Sequence, residues 1–253
     1  MLFSDHAPAG ANRVLAISQP EHALVSGQLL AAWGRPLNER VVLAAGQHDV
    51  AWLDWEAAPT FDAETGRPRE FRSVGVAEHA PMWERGVDRA LAAWGRRVAL
   101  LVSRHGSTIY RRFNDRHRSA AGPGLIADER AAEDYLARHQ QRQDAWMMAL
   151  GLGAAEVAHD AELIAFADTL SLILCGALPV SAPLDIAHHP ITLSVDADGS
   201  FGLDPWPFAA NTLRLEIETR PLPEAGRFSD ADAMRDWLAE PARTTLRHDL
   251  VRQ

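Results

Sequence analysis

Lysine is missing from this 253-residue chain: all 25 basic side chains are arginine. That removes the phosphate loop whose lysine reaches the phosphates, and any chemistry through a lysine Schiff base. An anionic substrate then has to be held by arginine or by a metal. Cysteine is nearly missing too. Cys175 alone cannot form an internal disulfide, which suits a reducing compartment, and its place at the end of an apolar run reads as core. No apolar run reaches the roughly 18 residues of a membrane-spanning helix. The opening MLFSDHAPAG lacks the basic-then-apolar order of a secretory signal. Positive charge is not in excess: the formal net charge of −9 offers no footprint for nucleic acid or an anionic membrane. No G-x-S-x-G elbow exists, and Gly151-Leu152-Gly153 lacks the third glycine of a dinucleotide fingerprint. A cytoplasmic protein with a small-molecule substrate is expected; nothing in the sequence sets its oligomeric state.

What is present can build a sizeable core, since 47% of residues are hydrophobic and 23% charged. An extended entry over 13–19 precedes a helix that Pro20 opens and that Gly34 and Pro36 stop near Trp33. A second helix is predicted over 38–55, apolar almost all round and therefore buried. Residues 56–76 read as a long loop, of a length that is often functional. Pro81 is predicted to open a third helix to about Trp94, with a fourth over 96–113. After a break at Gly122-Pro123-Gly124, two longer helices are expected over 126–150 and 154–175. Beyond Pro179 the period changes to two, in Ile191–Val195 and Leu213–Ile217, with a turn signal at Asp198-Gly199. A last short helix is expected near 230–238. The sequence thus predicts a mainly α fold: a helical body over 1–178 with a small C-terminal antiparallel β appendage over 179–253.

Charge sits where apolar faces are expected. His48 and Asp49 lie within the most apolar predicted helix, among Ala44, Ala45, Trp52 and Leu53. A buried carboxylate without a strong partner costs several kcal/mol or more. His22 shares its face with Val25 and Leu29, His105 with Leu101, Val102 and Ile109, and Asp168 lies between Ile164 and Leu172. Each alone reads as a hydrogen-bonded core residue. Together, four helices each turn an ionisable group inward, which is how a helical bundle builds a metal site. His and carboxylate without thiolate suit iron, manganese, nickel, cobalt or zinc. The dipeptide recurs at His159-Asp160, in more polar surroundings, and at His248-Asp249, in what reads as a polar tail. His188-His189 reads as loop.

In chain order the groups run His22, His48-Asp49, His79, His105, Asp168, with His79 just before the third predicted helix. This resembles the HD-domain superfamily, in the subset ordered H…HD…H…H…D. The resemblance implies an HD-like helical bundle holding two divalent metal ions, iron or manganese. Asp49 would bridge them, His22, His48 and Asp168 would hold one, and His79 and His105 the other. The wording SQPEHALVSGQLLAAWG, GQHDVAWLDW, LVSRHGSTIY, FADTLSLILC and LDPWPF is similar to a bacterial family catalogued only as a domain of unknown function, over nearly the whole chain. An acidic residue and a glycine are expected after the HD pair; Val50 and Ala51 stand there, and Asp54, one turn on, is the candidate replacement.

Three functions stay open on this resemblance. An HD-type phosphohydrolase would use a hydroxide held by the metals near Asp49 against a small phosphate ester or nucleotide, with Arg104 or Arg72 gripping the phosphate. An HD-type di-iron oxygenase would cleave a C–C or C–P bond; the spacing of 26 residues from His22 to His48 and from His79 to His105 is similar to that subgroup. A metal-stabilised binding protein would turn nothing over.

Overall fold

A computed structural model describes residues 1–4, 13–117, 123–239 and 242–253, the side chains of 113–117 and 123–127 excepted. Of the predicted break at Gly122-Pro123-Gly124, Gly122 lies outside the described residues, as does part of the opening segment, while Pro123 and Gly124 begin a helix. Two short strands come first, β1 (Leu2–Ser4) and β2 (Leu15–Ile17), then α1 (Gln19–Ala31) and α2 (Glu39–Gly46). A 3-10 turn over Val50–Trp52 leads into α3 (Leu53–Ala57), and a hairpin follows, β3 (Phe61–Asp62) with β4 (Arg67–Pro68). The long helices are α4 (Val76–Trp94), α5 (Arg96–His117), α6 (Pro123–Leu150) and α7 (Ala154–Leu174). The rest holds a small hairpin, β5 (Asp185–Ile186) with β6 (His189–Pro190), then β7 (Thr192–Val195), β8 (Phe201–Asp204), β9 (Thr212–Pro221), α8 (Ala231–Ala239) and β10 (Thr244–Arg252).

The fold class predicted from sequence is wrong. The chain is about 53% helical and 19% strand, and its main sheet is a curled half-barrel of six strands, not a small appendage on an HD-like bundle. The strand order β1-β2-β9-β10-β8-β7 joins both ends of the chain. β2 runs antiparallel to β9, while β10 lies between β9 and β8, parallel to β8. β2 meets β9 about two hundred positions away, a pairing with no local period to read, and β1 joins the sheet only through β2, so the sequence assigned neither to it. β10 was legible: Leu246, His248 and Leu250 alternate inward. His248, read as part of a polar tail, is instead buried, with Nε2 2.9 Å from the Leu174 carbonyl.

Two helix boundaries also differ, and both bear on the site. The helix predicted over 38–55 is broken at Gln47-His48-Asp49, between α2 and the 3-10 turn. His48 Nδ1 donates to the Ala45 carbonyl at 2.7 Å, so a side chain takes the acceptor that a continuing helix would use. Pro81 lies inside α4 and does not open it. The helix starts at Val76 because Asp128 Oδ1 accepts from the Ala77 amide at 2.8 Å, capping the first turn from a neighbouring helix. His79 is therefore a helical residue.

Candidate metal centre

The site begins with a close crossing. A Cβ on Gly27 of α1 would lie 3.0 Å from the Gly46 Cα of α2, so the two backbones nearly touch at this pair. His22 sits one and a half turns before Gly27 and His48 two residues after Gly46, so the crossing brings the two imidazoles to a ring separation of 5.0 Å. His105 on α5 lies 4.5 Å from the His48 ring, and Asp168 comes from α7. His22, His48, Asp49 and His105 are all buried.

Hydrogen bonds fix how these rings face. The Ser171 hydroxyl donates to the Asp168 carbonyl at 2.8 Å, so its oxygen accepts from His22 Nδ1 at 2.8 Å. His22 Nε2 then lies 2.7 Å from Asp49 Oδ2, which requires either a proton on that nitrogen or a cation between the two atoms. His48 is held the same way. With Nδ1 given to Ala45, its Nε2 has no hydrogen-bond partner among the described residues and lies 3.3 Å from Asp168 Oδ1 and 3.9 Å from Asp49 Oδ2. Imidazoles whose far nitrogen is tied to a carbonyl or hydroxyl, with the near one turned to carboxylates, match the way metal-ligating histidines are oriented. Two groups have ligand atoms all within 4.8 Å of one another: His22, His48 and Asp49, and His48, His105 and Asp168. The donor set fits a divalent cation, and an orphaned buried nitrogen faces the place where one would sit.

Electrostatics agree. Burial alone would push the His48 imidazole down, but Asp49 and Asp168 beside it hold it up at about 9. Burial favours the neutral acid at both carboxyls, yet the surrounding histidines keep Asp49 and Asp168 below the ordinary carboxylate range. His105 is pushed down to about 4 by burial and then by the neighbouring His48 charge. His79 also falls to about 4, again through burial. Two ionised carboxylates therefore stand beside the neutral His105 and a His48 that keeps its proton until a cation displaces it.

His79 belongs to neither ligand group. It stacks between Trp52 and Trp83, 4.8 Å from each ring, with Nδ1 2.9 Å from the Tyr110 hydroxyl and Nε2 unpartnered. It does line the same cavity, of about 490 Å³, as His22, Asp49, His105 and Asp168. Arg72 lines that cavity as well, and its guanidinium donates to the Ala177 carbonyl. Asp54 is elsewhere: it is ion-paired with Arg89 at 2.8 Å on the surface. Arg104 also turns away, to Gln143 Oε1 at 3.3 Å, and does not line the cavity.

Sequence reasoning missed Ser171, Tyr110, Trp52 and Arg112, all of which bear on this site. Ser171 stands one turn after Asp168, and Trp52 four residues after His48, so helical spacing from a suspected ligand was the available signal. No such signal marks Tyr110, whose role depends on α4 lying against α5.

Among the described residues no helix is long and apolar enough to cross a membrane. No curated protein and no solved structure matches the chain. A family model described as "Protein of unknown function (DUF3891)" matches residues 8–224. That match covers well over half of the chain, which therefore belongs to the DUF3891 family.

Proposed function

We propose that this chain is a metal-dependent phosphohydrolase of small phosphate esters, HD-type in its ligand order, with two divalent ions, iron or manganese. His22, His48, Asp49, His105 and Asp168 would hold them, with His79 a further ligand at the cavity wall. The observation that carries the reading is that both ligand groups share His48, whose Nε2 is orphaned, and that their other members line one cavity large enough for a small molecule. Two such ions would supply Lewis acidity, activating water and offsetting the charge that develops at phosphorus. The protein's own contribution is orientation. Ala45 and Ser171 hold the far nitrogens of His48 and His22, so both rings present Nε2 to the cluster. Asp49 and Asp168, kept ionised, balance the cations and can accept a proton from water at their carboxylate oxygens. Trp52, Trp83 and Val76 keep the cluster's surroundings dry, which strengthens every charge interaction there.

A second reading, a di-iron oxygenase, draws support from the same wall, because aromatic and aliphatic residues make up most of the cavity lining. Elemental analysis of freshly purified protein, beside His48→Ala and Asp49→Ala, tests the shared premise. Close to two equivalents of metal, lost in both variants, is expected, followed by turnover of phosphomonoesters in manganese. Oxygen uptake without phosphoester turnover would favour the second reading. No metal bound, and none taken up on reconstitution, would end both.

A further inference from the structure

The cavity is graded from floor to mouth. At the floor are the ionisable groups, His22, Asp49, His105 and Asp168. The wall is apolar, with Trp52, Phe71, Val76, Ile109, Leu172 and Leu178. At the mouth are two arginines, Arg72 and Arg112, both exposed. One strip of α5 shows the order directly. His105, Ile109 and Arg112 follow at spacings of four and three on one helix face, and all three line the cavity. Seven residues at 1.5 Å rise place the Arg112 backbone about 10 Å from that of His105 along the axis.

The charges divide by depth. The only acids lining the cavity, among the described residues, are Asp49 and Asp168, both committed to the cluster. Arg72 is partly engaged, with Glu70 at 3.3 Å and with the Ala177 carbonyl. Arg112 has no hydrogen-bond or ion-pair partner among the described residues, so its fork is free for a carboxylate or phosphate. Along the wall the polar side chains are few, Gln19, His79 and Tyr110, so a ligand rich in sugar hydroxyls would lose more hydrogen bonds to water than it regains.

We infer that the ligand of this cavity is two-ended: one anionic or ester group at the cluster, a ring-sized apolar middle against the wall, and a second anionic group at the mouth, held chiefly by Arg112 with Arg72 beside it. The inference rests on the proposed function for the identity of the reacting end. The apolar middle and the distal anion need no turnover to be detected.

Calorimetric titration of metal-loaded protein with terephthalate and with benzoate tests it, because the two differ only in the second carboxylate. Terephthalate is expected to bind about tenfold more tightly, the scale of one charge-assisted hydrogen bond. Arg112→Ala is expected to erase that preference while leaving benzoate unchanged, and Arg72→Gln to reduce it by less. Equal affinities in the wild type, a preference that survives in Arg112→Ala, or no binding of either acid overturns the inference. Phosphoester turnover without the dicarboxylate preference would sink this inference and leave the hydrolase reading standing. The preference without any turnover would sink the hydrolase reading instead and support the two-ended ligand.

Discussion

Two groups of buried polar side chains share α5, through His105 in one and Ser103 in the other, and they differ in the charge they gather. The first is the cluster of His22, His48, Asp49, His105 and Asp168. The second joins α5 to α6: Ser103 Oγ pairs with His139 Nδ1 at 2.8 Å, and the Gln143 amide donates to Ser103 at 2.8 Å and to Ser107 at 3.0 Å. Tyr135 stacks on the His139 ring at 3.9 Å. Burial is comparable, with His48 and Gln143 both fully buried. The second group, however, contains no carboxylate; neutral donors face acceptors within it, and the Arg104 guanidinium reaches the Gln143 side-chain carbonyl from outside. Its Tyr135 hydroxyl, like His48 Nε2, has no hydrogen-bond partner among the described residues, so charge is what separates the two groups. The first sets two carboxylates against imidazoles whose far nitrogens are tied to a carbonyl and a hydroxyl, and it leaves His48 Nε2 without a hydrogen-bond partner among the described residues. An unmatched buried nitrogen beside two carboxylates is an arrangement that a cation would complete. Burial of polar residues therefore says little about function; the charge gathered with them says more.

The sharpest way to break this comparison is to remove the shared carboxylate. Asp49→Ala should lose essentially all bound metal, with loss of any phosphoester turnover, whereas full metal content in that variant by elemental analysis would reduce the cluster to a polar network like the second. The pH dependence of the metal-free protein should separate the groups next. His79 and His105, at about 4 when folded, stay neutral while the unfolded chain protonates, so their contribution is complete above about 6.5 and is lost as pH falls toward 4. His48, at about 9, acts with the opposite sign: its contribution is complete below about 6.5 and is lost as pH rises through 9. Stability of the stripped protein, read from urea midpoints, should peak near pH 6.5 and fall on both sides, at most by about 1.4 kcal/mol per pH unit and group. A flat profile from pH 5 to 8 would contradict the charge pattern derived for the cluster.

Smaller effects sharpen the contrast. Ser171→Ala removes the acceptor that orients His22, so metal affinity should drop roughly 10- to 100-fold in a competitive chelator titration, with the fold retained. An unchanged affinity would mean that Ser171 only fills space. Ser103→Ala is the matched substitution in the second group. It should cost about 1 kcal/mol in denaturant unfolding, by unpairing His139 and Gln143, and leave metal content at the wild-type value.

Much of the cluster was legible, and for one reason. A charge inside an apolar run, as at His48-Asp49 or Asp168, conflicts with the pattern around it, and only a tertiary partner resolves the conflict. Helical spacing then placed His22 and His105 on inward faces. Asp54 and Arg104 fared differently because exposed or half-buried charges create no such conflict: Asp54 found Arg89 and Arg104 found Gln143, and no period in the sequence distinguishes those partners from a substrate. Arg112 carries no such conflict either, since an exposed arginine near a helix end looks like any other.

The amino-acid sequence by itself determined where helices form, through periodicity and punctuation by Pro and Gly, and which ionisable groups must face inward. Local rules suffice for that, because both depend on neighbours within a few residues. Tertiary structure alone decided the break of the chain at His48, the start of α4 ahead of Pro81 and the joining of β1 and β2 to β9. Each of these turns on a hydrogen bond or strand pairing whose choice local propensity leaves open: the Ala45 carbonyl is taken by a side chain, Asp128 caps from another helix, and the sheet unites residues from both ends of the chain.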